Sequence, residues 1–452
     1  MGTNMPEMES IFSALRRSQM LRLCLVGVLT IVLLIPIEMI SGLVTERQER
    51  RDSAVKEVSS KWGDAQAITG PALVLPFVIH RVETAASGEK VVRDETKYAT
   101  FLPKRLGVEG KIEAESRNRG IFSIPVYTVN LSMQGEFAQP DLAELNIDPS
   151  SVLWNRAQLA LGISDVRAIR EQSTVSWNDK QSSFVPGSGF LENSPGIHAP
   201  VEADPTKPAF RFTFPISLNG SRSFNLTPFA EQTVTHITSN SPNPNFQGNW
   251  LPVDRKVSDS GFDATWRISY LGRNYPQSWR SDGDVRKAIE ASRFGVELTD
   301  SVDHYRMTDR SVKYASLFIL LTFASIWLIE VLAKVRVHPI QYLMLGAGLC
   351  VFYLLELSLS EHIAFAVAYA IACLSIIGMT AVYSRVIFPK ERRSGVVATC
   401  VTALYGYLFV LLTNEDYALL IGSIGLFVIL AGIMYATRRV DWYVNGKGLA
   451  RD

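Results

Sequence analysis

The sequence predicts a membrane protein in which an α-helical transmembrane bundle carries a large β-rich (α+β) domain outside the bilayer. Five apolar segments of about 17 to 21 residues lie in the C-terminal third, each long enough to cross a hydrocarbon core of ~30 Å. A sixth apolar segment lies close to the N-terminus. The long polar region between them contains short apolar runs separated by Gly, Pro, Asn and Ser, a pattern typical of β-strands.

The N-terminal part is predicted to anchor the chain. Residues 1–19 form a polar lead that we expect in the cytoplasm, and residues 20–44 form transmembrane helix 1, which Pro36 is expected to kink. A cleaved signal peptide is the alternative, but it would have a shorter apolar region followed by a small-residue cleavage site. Residues 20–44 show neither feature, so we prefer an uncleaved helix.

Residues 45–310 are predicted to form the β-rich domain, led by a helix over residues 45–66. Apolar residues such as Val55 and Trp62 recur in that helix at spacings of three and four, and Gly70-Pro71 is expected to end it. The clearest strand candidates further along are Ala72–Ile79, Ile121–Leu131, Phe210–Leu218 and Ala264–Tyr270.

Two short helices are also predicted in this domain, around Val152–Leu161 and around Val285–Ser292. The pattern leaves open whether the region is one fold or two lobes.

Residues 311–437 are predicted to form a compact bundle of five transmembrane helices, followed by a cytoplasmic tail at residues 438–452. The breaks between the apolar segments are too short to hold another folded domain. The segments are Tyr314–Leu332, Ile340–Leu357, Ile363–Tyr383, Val396–Leu412 and Tyr417–Tyr435.

Loop charges predict the orientation of this bundle. Alternate breaks and the tail are basic, whereas residues 358–362 and 413–416 contain no Lys or Arg. The basic residues are Lys334, Arg336, Arg385, Lys390, Arg392, Arg393, Arg438 and Arg439. Because cytoplasmic loops are enriched in Lys and Arg, both termini are predicted to be cytoplasmic and the β-rich domain to lie on the outer side.

Composition and motifs argue against several functional classes. The net charge of +1 gives no indication of nucleic acid binding. All four cysteines lie in predicted spans, so the β-rich domain is expected to be stable without disulfides; they are Cys24, Cys350, Cys373 and Cys400. The sequence shows no metal-ligand spacing, nucleophile elbow or phosphate-binding loop, so no catalytic residue, cofactor or metal is predicted.

Acidic residues and one histidine mark a candidate polar site at the outer rim of the bundle. Helical rise places two glutamates just inside the outer interface, and the other residues occupy the two outer loops. The candidates are Glu38, Glu356, Glu361, His362, Glu415 and Asp416. If the helices pack together, these groups converge into a pocket for a lipid headgroup or a partner; the alternative is that they are solvated loop residues.

Several long motifs resemble the CreD family of bacterial inner-membrane proteins and occur in the family's order along nearly the whole chain. They include Val302-Asp303-His304-Tyr305, Asp309-Arg310-Ser311-Val312-Lys313-Tyr314, His338-Pro339-Ile340-Gln341-Tyr342-Leu343, Leu357-Ser358-Leu359-Ser360-Glu361-His362, Asn414-Glu415-Asp416-Tyr417 and Arg438-Arg439-Val440-Asp441-Trp442-Tyr443. One departure is Ser241-Pro242 before Pro244-Asn245-Phe246, where family members often have Trp-Pro.

The resemblance implies an inner-membrane protein with a periplasmic domain that serves envelope integrity and stress response under two-component control. It also implies an altered response to cell-wall antibiotics, but no established reaction. We therefore expect a non-enzymatic protein whose periplasmic domain recognises an envelope protein, a lipid or a cell-wall component. The alternative is a membrane-embedded lipid or cell-wall processing enzyme that uses the acidic rim; the oligomeric state stays open.

Overall fold

The computed structural model describes residues 19–84, 90–188, 194–281, 283, 285–298, 304–333, 335, 337–388 and 391–438. Six helices within these residues are long and apolar enough to cross a membrane, one near the N-terminus and five in the C-terminal part. Together with two β-sheets, they confirm the predicted fold class. The predicted N-terminal lead, the tail beyond Arg438, and Lys334, Arg336 and Lys390 lie outside the described residues.

The described residues form two compact units, one within Asp52–Ser301 and the other built from the helices before and after it. The helices are α1 (Gln19–Trp62), α2 (Arg286–Ala291), α3 (His304–Ala333), α4 (Pro339–Ser360), α5 (Phe365–Ile387), α6 (Glu391–Thr413) and α7 (Ala418–Thr437).

Helix α1 ends at Trp62, earlier than the predicted end at residue 66. Gly63 has φ +148°, and a Cβ there would lie 2.7 Å from the Asn219 carbonyl oxygen. A residue with a side chain would therefore be strained at this turn, and the chain leaves the helix at the glycine. Gly70-Pro71 lies inside the first strand, where the pairing register shifts between Thr69 and Ala72 because proline has no N–H for the ladder.

The β-rich unit has seventeen strands in the described residues, nine in one sheet and eight in the other. They are β1 (Gln66–Thr84), β2 (Lys90–Phe101), β3 (Arg105–Arg119), β4 (Phe122–Ala138), β5 (Gln158–Ile163), β6 (Thr174–Trp177), β7 (Lys180–Ser183), β8 (Val185–Pro186), β9 (Gly196–Pro200), β10 (Ala209–Ser221), β11 (Ser223–Leu226), β12 (Gln232–Ser239), β13 (Pro244–Gly248), β14 (Asp254–Ser258), β15 (Gly261–Ser269), β16 (Ser278–Arg280) and β17 (Phe294–Leu298).

The first sheet has the order β13-β17-β11-β1-β5-β9-β8, with β2 also paired to β1 and β16 paired to β2. The second has the order β14-β15-β12-β3-β4-β10-β6-β7. Alternate residues of both sheets share one large apolar core, as in β12, where Thr233, Thr235 and Ile237 are buried and Val234 and His236 point away.

The first sheet is covered on both faces. In β1, Leu73 and Leu75 belong to the core shared with the second sheet, whereas Val74 packs on the opposite face with Trp279 and Ile289. Ile289 lies on α2, which confirms the helix predicted around Val285–Ser292.

The helix predicted around Val152–Leu161 is wrong. Two 3₁₀ turns, Pro149–Ser151 and Trp154–Arg156, are followed there by strand β5. β5 pairs with β1 on one side and β9 on the other, and its run Leu159–Leu161 is fully buried. A short apolar run buried on both faces has no alternation, so periodicity cannot separate a strand from a helix there.

Small residues allow close helix contacts in the bundle, as expected for membrane helices. A Cβ at Gly346 of α4 would collide with the Leu33 side chain of α1, and one at Gly425 of α7 would collide with the Tyr407 ring of α6. None of the four cysteines forms a disulfide, and all lie in the apolar helices α1, α4, α5 and α6.

Candidate functional site at the polar end of the bundle

The first two turns of α3 organise one end of the bundle, which we call the polar end and define by Glu356, Glu361 and Glu415. These turns carry Tyr305, Arg306, Arg310 and Ser311, and each of these side chains contacts one of the three glutamates. The three glutamates belong to the end of α4 and the loop after α6, so α3 joins two separate parts of the chain.

Glu361 caps the C-terminal end of α4 and binds two other helices. The Tyr305 hydroxyl of α3 donates a hydrogen bond of 3.0 Å to Glu361 Oε1, and Arg47 Nε of α1 lies 3.7 Å from the same oxygen. The Glu361 side chain is only 9% exposed and Tyr305 is fully buried. This contact therefore ties three helices together through one carboxylate with little access to solvent.

Glu415 lies in the loop between α6 and α7 beside two arginines of α3. Its Oε2 atom is 3.3 Å from Arg306 and 3.6 Å from Arg310, which are neighbours on one helix face because they are four residues apart. Arg310 also donates to the carbonyls of Leu411 and Leu412, at 3.0 and 3.3 Å. Carbonyls in a last helical turn lack intrahelical partners, so this guanidinium caps α6.

Glu356 lies in α4 and is fully buried. Its Oε2 atom accepts a hydrogen bond of 2.7 Å from the Ser311 hydroxyl of α3. Among the described residues, Oε1 has no hydrogen-bond partner. Of the three glutamates, this is the one whose only described partner is a neutral hydroxyl.

The other three predicted residues are exposed, as is Glu415. Glu38 lies on the surface of α1, and His362 and Asp416 lie in the two loops. The structure thus brings Glu356, Glu361 and Glu415 to the polar end, each with its own partner. That all six form one binding site stays a prediction.

Sequence reasoning missed the partners of these glutamates. It placed the start of the first C-terminal helix at residue 311, because the apolar pattern begins near there, and assigned residues up to 310 to the β-rich domain. The spacing of Arg306 and Arg310 was a signal for an earlier helix start, since residues four apart share one helix face. No comparable sequence pattern indicated that Arg47 would contact Glu361.

A second polar cluster lies on the exposed face of the second sheet. His236 of β12 is 2.8 Å from Glu109 of β3 through Nδ1 and 3.1 Å from Asp263 of β15 through Nε2. The carboxylates of Glu109 and then of Asp263 raise the pKa of His236, because accepting hydrogen bonds from the ring favours the charged imidazolium. When it is protonated, the ring has two N–H donors and can bond to both neighbouring strands, β3 and β15, at once.

The β-rich unit also contains an open cleft of about 410 Å³, lined by Asp64, Ala65, Ser164, Asp165, Val166, Arg167 and Pro195. Asp165 is nearly buried in its wall and accepts two hydrogen bonds from the Arg167 guanidinium, at 2.9 and 3.0 Å. This pairing lowers the pKa of Asp165 because it favours the carboxylate. The Arg167 side chain is 70% exposed, so the cleft offers polar groups to a ligand.

Comparison with known proteins identifies a family. The family model described as "Inner membrane protein CreD" matches residues 18–443. The chain is also 32% identical over 415 residues to the inner membrane protein CreD of Escherichia coli (strain K12). That alignment covers 91% of this chain and 91% of the relative.

Proposed function

The chain belongs to the CreD family of inner membrane proteins, and on this premise we propose that it maintains the cell envelope under stress without catalysing a reaction. In this proposal the β-rich unit recognises an envelope protein, a lipid or a cell-wall component. The helices hold that unit at the bilayer, and expression follows a two-component system, as the family resemblance implies.

One observation carries the recognition role, namely the open cleft beside Arg167. It combines the exposed carboxylate of Asp64 and the exposed guanidinium of Arg167 with the small side chain of Ala65. At the polar end of the bundle, by contrast, Glu361 and Glu415 are held by Tyr305 and by arginines. Such pairing favours a structural role for these glutamates, in holding helices together, over a catalytic one.

A cleft-filling variant tests this assignment. Ala65→Leu should abolish complementation of a deletion strain challenged with detergent and cell-wall antibiotics, while membrane abundance stays normal. Ala138→Leu is the matched control because Ala138 is exposed at the end of β4, outside the cleft lining. Full activity of Ala65→Leu at normal abundance would rule out the cleft as the recognition site.

The orientation is a separate part of the proposal. We place both termini in the cytoplasm and the β-rich unit in the periplasm, because the basic breaks alternate with breaks that contain no Lys or Arg. The four native cysteines all lie in apolar helices, so Val257→Cys, at a position 52% exposed on β14, gives a distinct labelling site. A membrane-impermeant maleimide should label it before lysis in cells with a permeabilised outer membrane. Labelling only after lysis would show that the β-rich unit lies in the cytoplasm, opposite to this proposal.

The alternative function, a membrane-embedded lipid or cell-wall processing enzyme, draws its support from Glu356, whose Oε1 atom has no described partner. It predicts that Glu356→Gln loses complementation at normal abundance and that purified protein turns over lipid or glycan substrates. Stoichiometric co-purification of a partner without turnover would favour the recognition role.

A further inference from the structure

The surroundings of Glu356 set it apart from the other acidic residues of the bundle. Four helices contribute to its environment, and the side chains that bond to it or interact with it electrostatically are hydroxyl, phenol and thiol groups. They are Ser311 of α3, Tyr353 of α4, Tyr369 and Cys373 of α5, and Tyr405 of α6. All of these residue types are ordinarily uncharged at neutral pH.

The nearest cation along α3 does not compensate Glu356. Arg310 precedes Ser311 in the chain, but its guanidinium is directed to the Leu411 and Leu412 carbonyls and to Glu415. Within the described residues, Ser311 is the hydrogen-bond partner of Glu356. A carboxylate at this position would thus be a buried charge with one neutral donor.

Among the described residues, no tyrosine hydroxyl is hydrogen-bonded to Glu356. The Tyr369 hydroxyl is engaged with the carbonyl of Tyr405 at 2.7 Å. Tyr353 lies three residues before Glu356 on the same helix, and its hydroxyl has no hydrogen-bond partner among the described residues. Tyr353 and Glu356 Oε1 are thus two buried polar groups on neighbouring positions of one helix face.

A buried carboxylate that has no charged partner is disfavoured, and ionised groups inside membrane helices are costly for the same reason. A neutral carboxylic acid avoids that cost and gains a donor of its own. We therefore propose that Glu356 is a buried proton-binding site at the polar end of the bundle, held as the neutral acid between α3 and α4. Release of the proton would leave a charge that the bundle accommodates only by admitting water between these helices.

This inference does not depend on the proposed envelope function. It assigns a proton as the ligand of one buried side chain. Loss of that proton is expected to change the hydrogen bond between Ser311 and Glu356.

Glu330 is the matched comparison within the same bundle. It lies on α3, is 4% exposed and accepts a hydrogen bond of 3.0 Å from the Tyr342 hydroxyl. It therefore resembles Glu356 in burial, in residue type and in having a hydroxyl partner. It differs in that neither of its carboxylate oxygens is among the buried atoms without a hydrogen-bond partner in the described residues, and it lies towards the other end of α3.

Carbodiimide labelling tests the proposal on the full-length protein in lipid vesicles. Dicyclohexylcarbodiimide is apolar and reacts with protonated carboxyls inside membranes, and peptide mass spectrometry locates the adduct. Near neutral pH we expect an adduct on the α4 peptide of the wild type and none in Glu356→Gln. Glu330→Gln should retain the α4 adduct. An unlabelled α4 peptide in wild type would overturn the proposal.

Infrared difference spectroscopy supplies a readout that does not depend on reagent access. A carbonyl band of a protonated carboxyl should be present in wild type near neutral pH, persist in Glu330→Gln, and be lost in Glu356→Gln. Ser311→Ala should shift its frequency because the hydroxyl donor to Oε2 is removed. A spectrum that Glu356→Gln leaves unchanged would show that Glu356 carries no proton.

Discussion

The polar end of the bundle and the exposed face of the second sheet use similar groups in opposite surroundings. At the polar end, Arg310 is 15% exposed and Glu361 9% exposed, and both lie against apolar helices. On the sheet, His236 is 35% exposed between Glu109 and Asp263, which are 64% and 52% exposed. Water solvates and screens the second cluster, whereas Arg310 and Glu361 depend on their protein partners. Arg306 and Glu415, at 63% and 53% exposed, are the solvated part of the polar end.

This difference decides how much each contact contributes to stability. Exposed ion pairs contribute about 0–1 kcal/mol, because water competes for both charges. Removing one partner of a buried polar pair costs about 1–3 kcal/mol, because the other partner is left without solvation. Equivalent substitutions in the two regions should therefore have unequal effects, largest at the polar end.

Arg310→Ala should have the largest effect. The substitution leaves the Leu411 and Leu412 carbonyls without a described side-chain donor and removes one cation from Glu415, so we expect a loss of about 2–3 kcal/mol. Unfolding in mixed SDS micelles would measure it. The control is Arg306→Ala, since Arg306 contacts the same Glu415 but is 63% exposed, and it should cost about 0–1 kcal/mol. Equal losses of stability in both variants would show that burial does not determine how much these contacts contribute.

Tyr305→Phe should have an intermediate effect. It deletes the hydroxyl that donates to Glu361 and leaves Arg47 as the other contact of that carboxylate, so we expect a loss of about 1–2 kcal/mol in the same assay. Tyr417→Phe controls for removal of a tyrosine hydroxyl, because Tyr417 is 63% exposed just before α7. A Tyr305→Phe variant as stable as the control would show that Glu361 is adequately held by Arg47.

Helix number and class were predictable because bilayer thickness fixes the length of an apolar span. Helix ends were harder to predict, since a helix can continue as polar residues beyond its apolar stretch, as α3 does between His304 and Arg310. The strand β5 was mistaken for a helix because both of its faces are buried. In both cases the assignment depends on the surroundings of the element in the fold and not only on its own sequence.

The contacts of the predicted glutamates could not be read from the sequence for the same reason. Tyr305 and Glu361 are 56 residues apart, and Ser311 and Glu356 are 45 apart. The sequence indicated the acidic residues, because charged groups near spans are uncommon and conspicuous. Which of them would be buried depended on the packing of α3, α4 and α6, which local periodicity does not encode.

The smallest effect is expected at His236 and should depend on pH. Glu109 and Asp263 raise the folded-state pKa of His236 above its ordinary value of about 6.5, so the stabilising contribution is fully present below that value. It is lost as pH rises through the raised pKa, and it should stay below ~1 kcal/mol because the ring is partly exposed. Hydrogen exchange of β12 and β15 peptides should accordingly increase with pH, after correction for the intrinsic rate, in wild type but not in His236→Gln. His80→Gln, which removes an exposed histidine contact with Asp94 on another hairpin, should retain the wild-type profile. A His236→Gln profile identical to wild type would mean that water, rather than the two carboxylates, governs this face of the sheet.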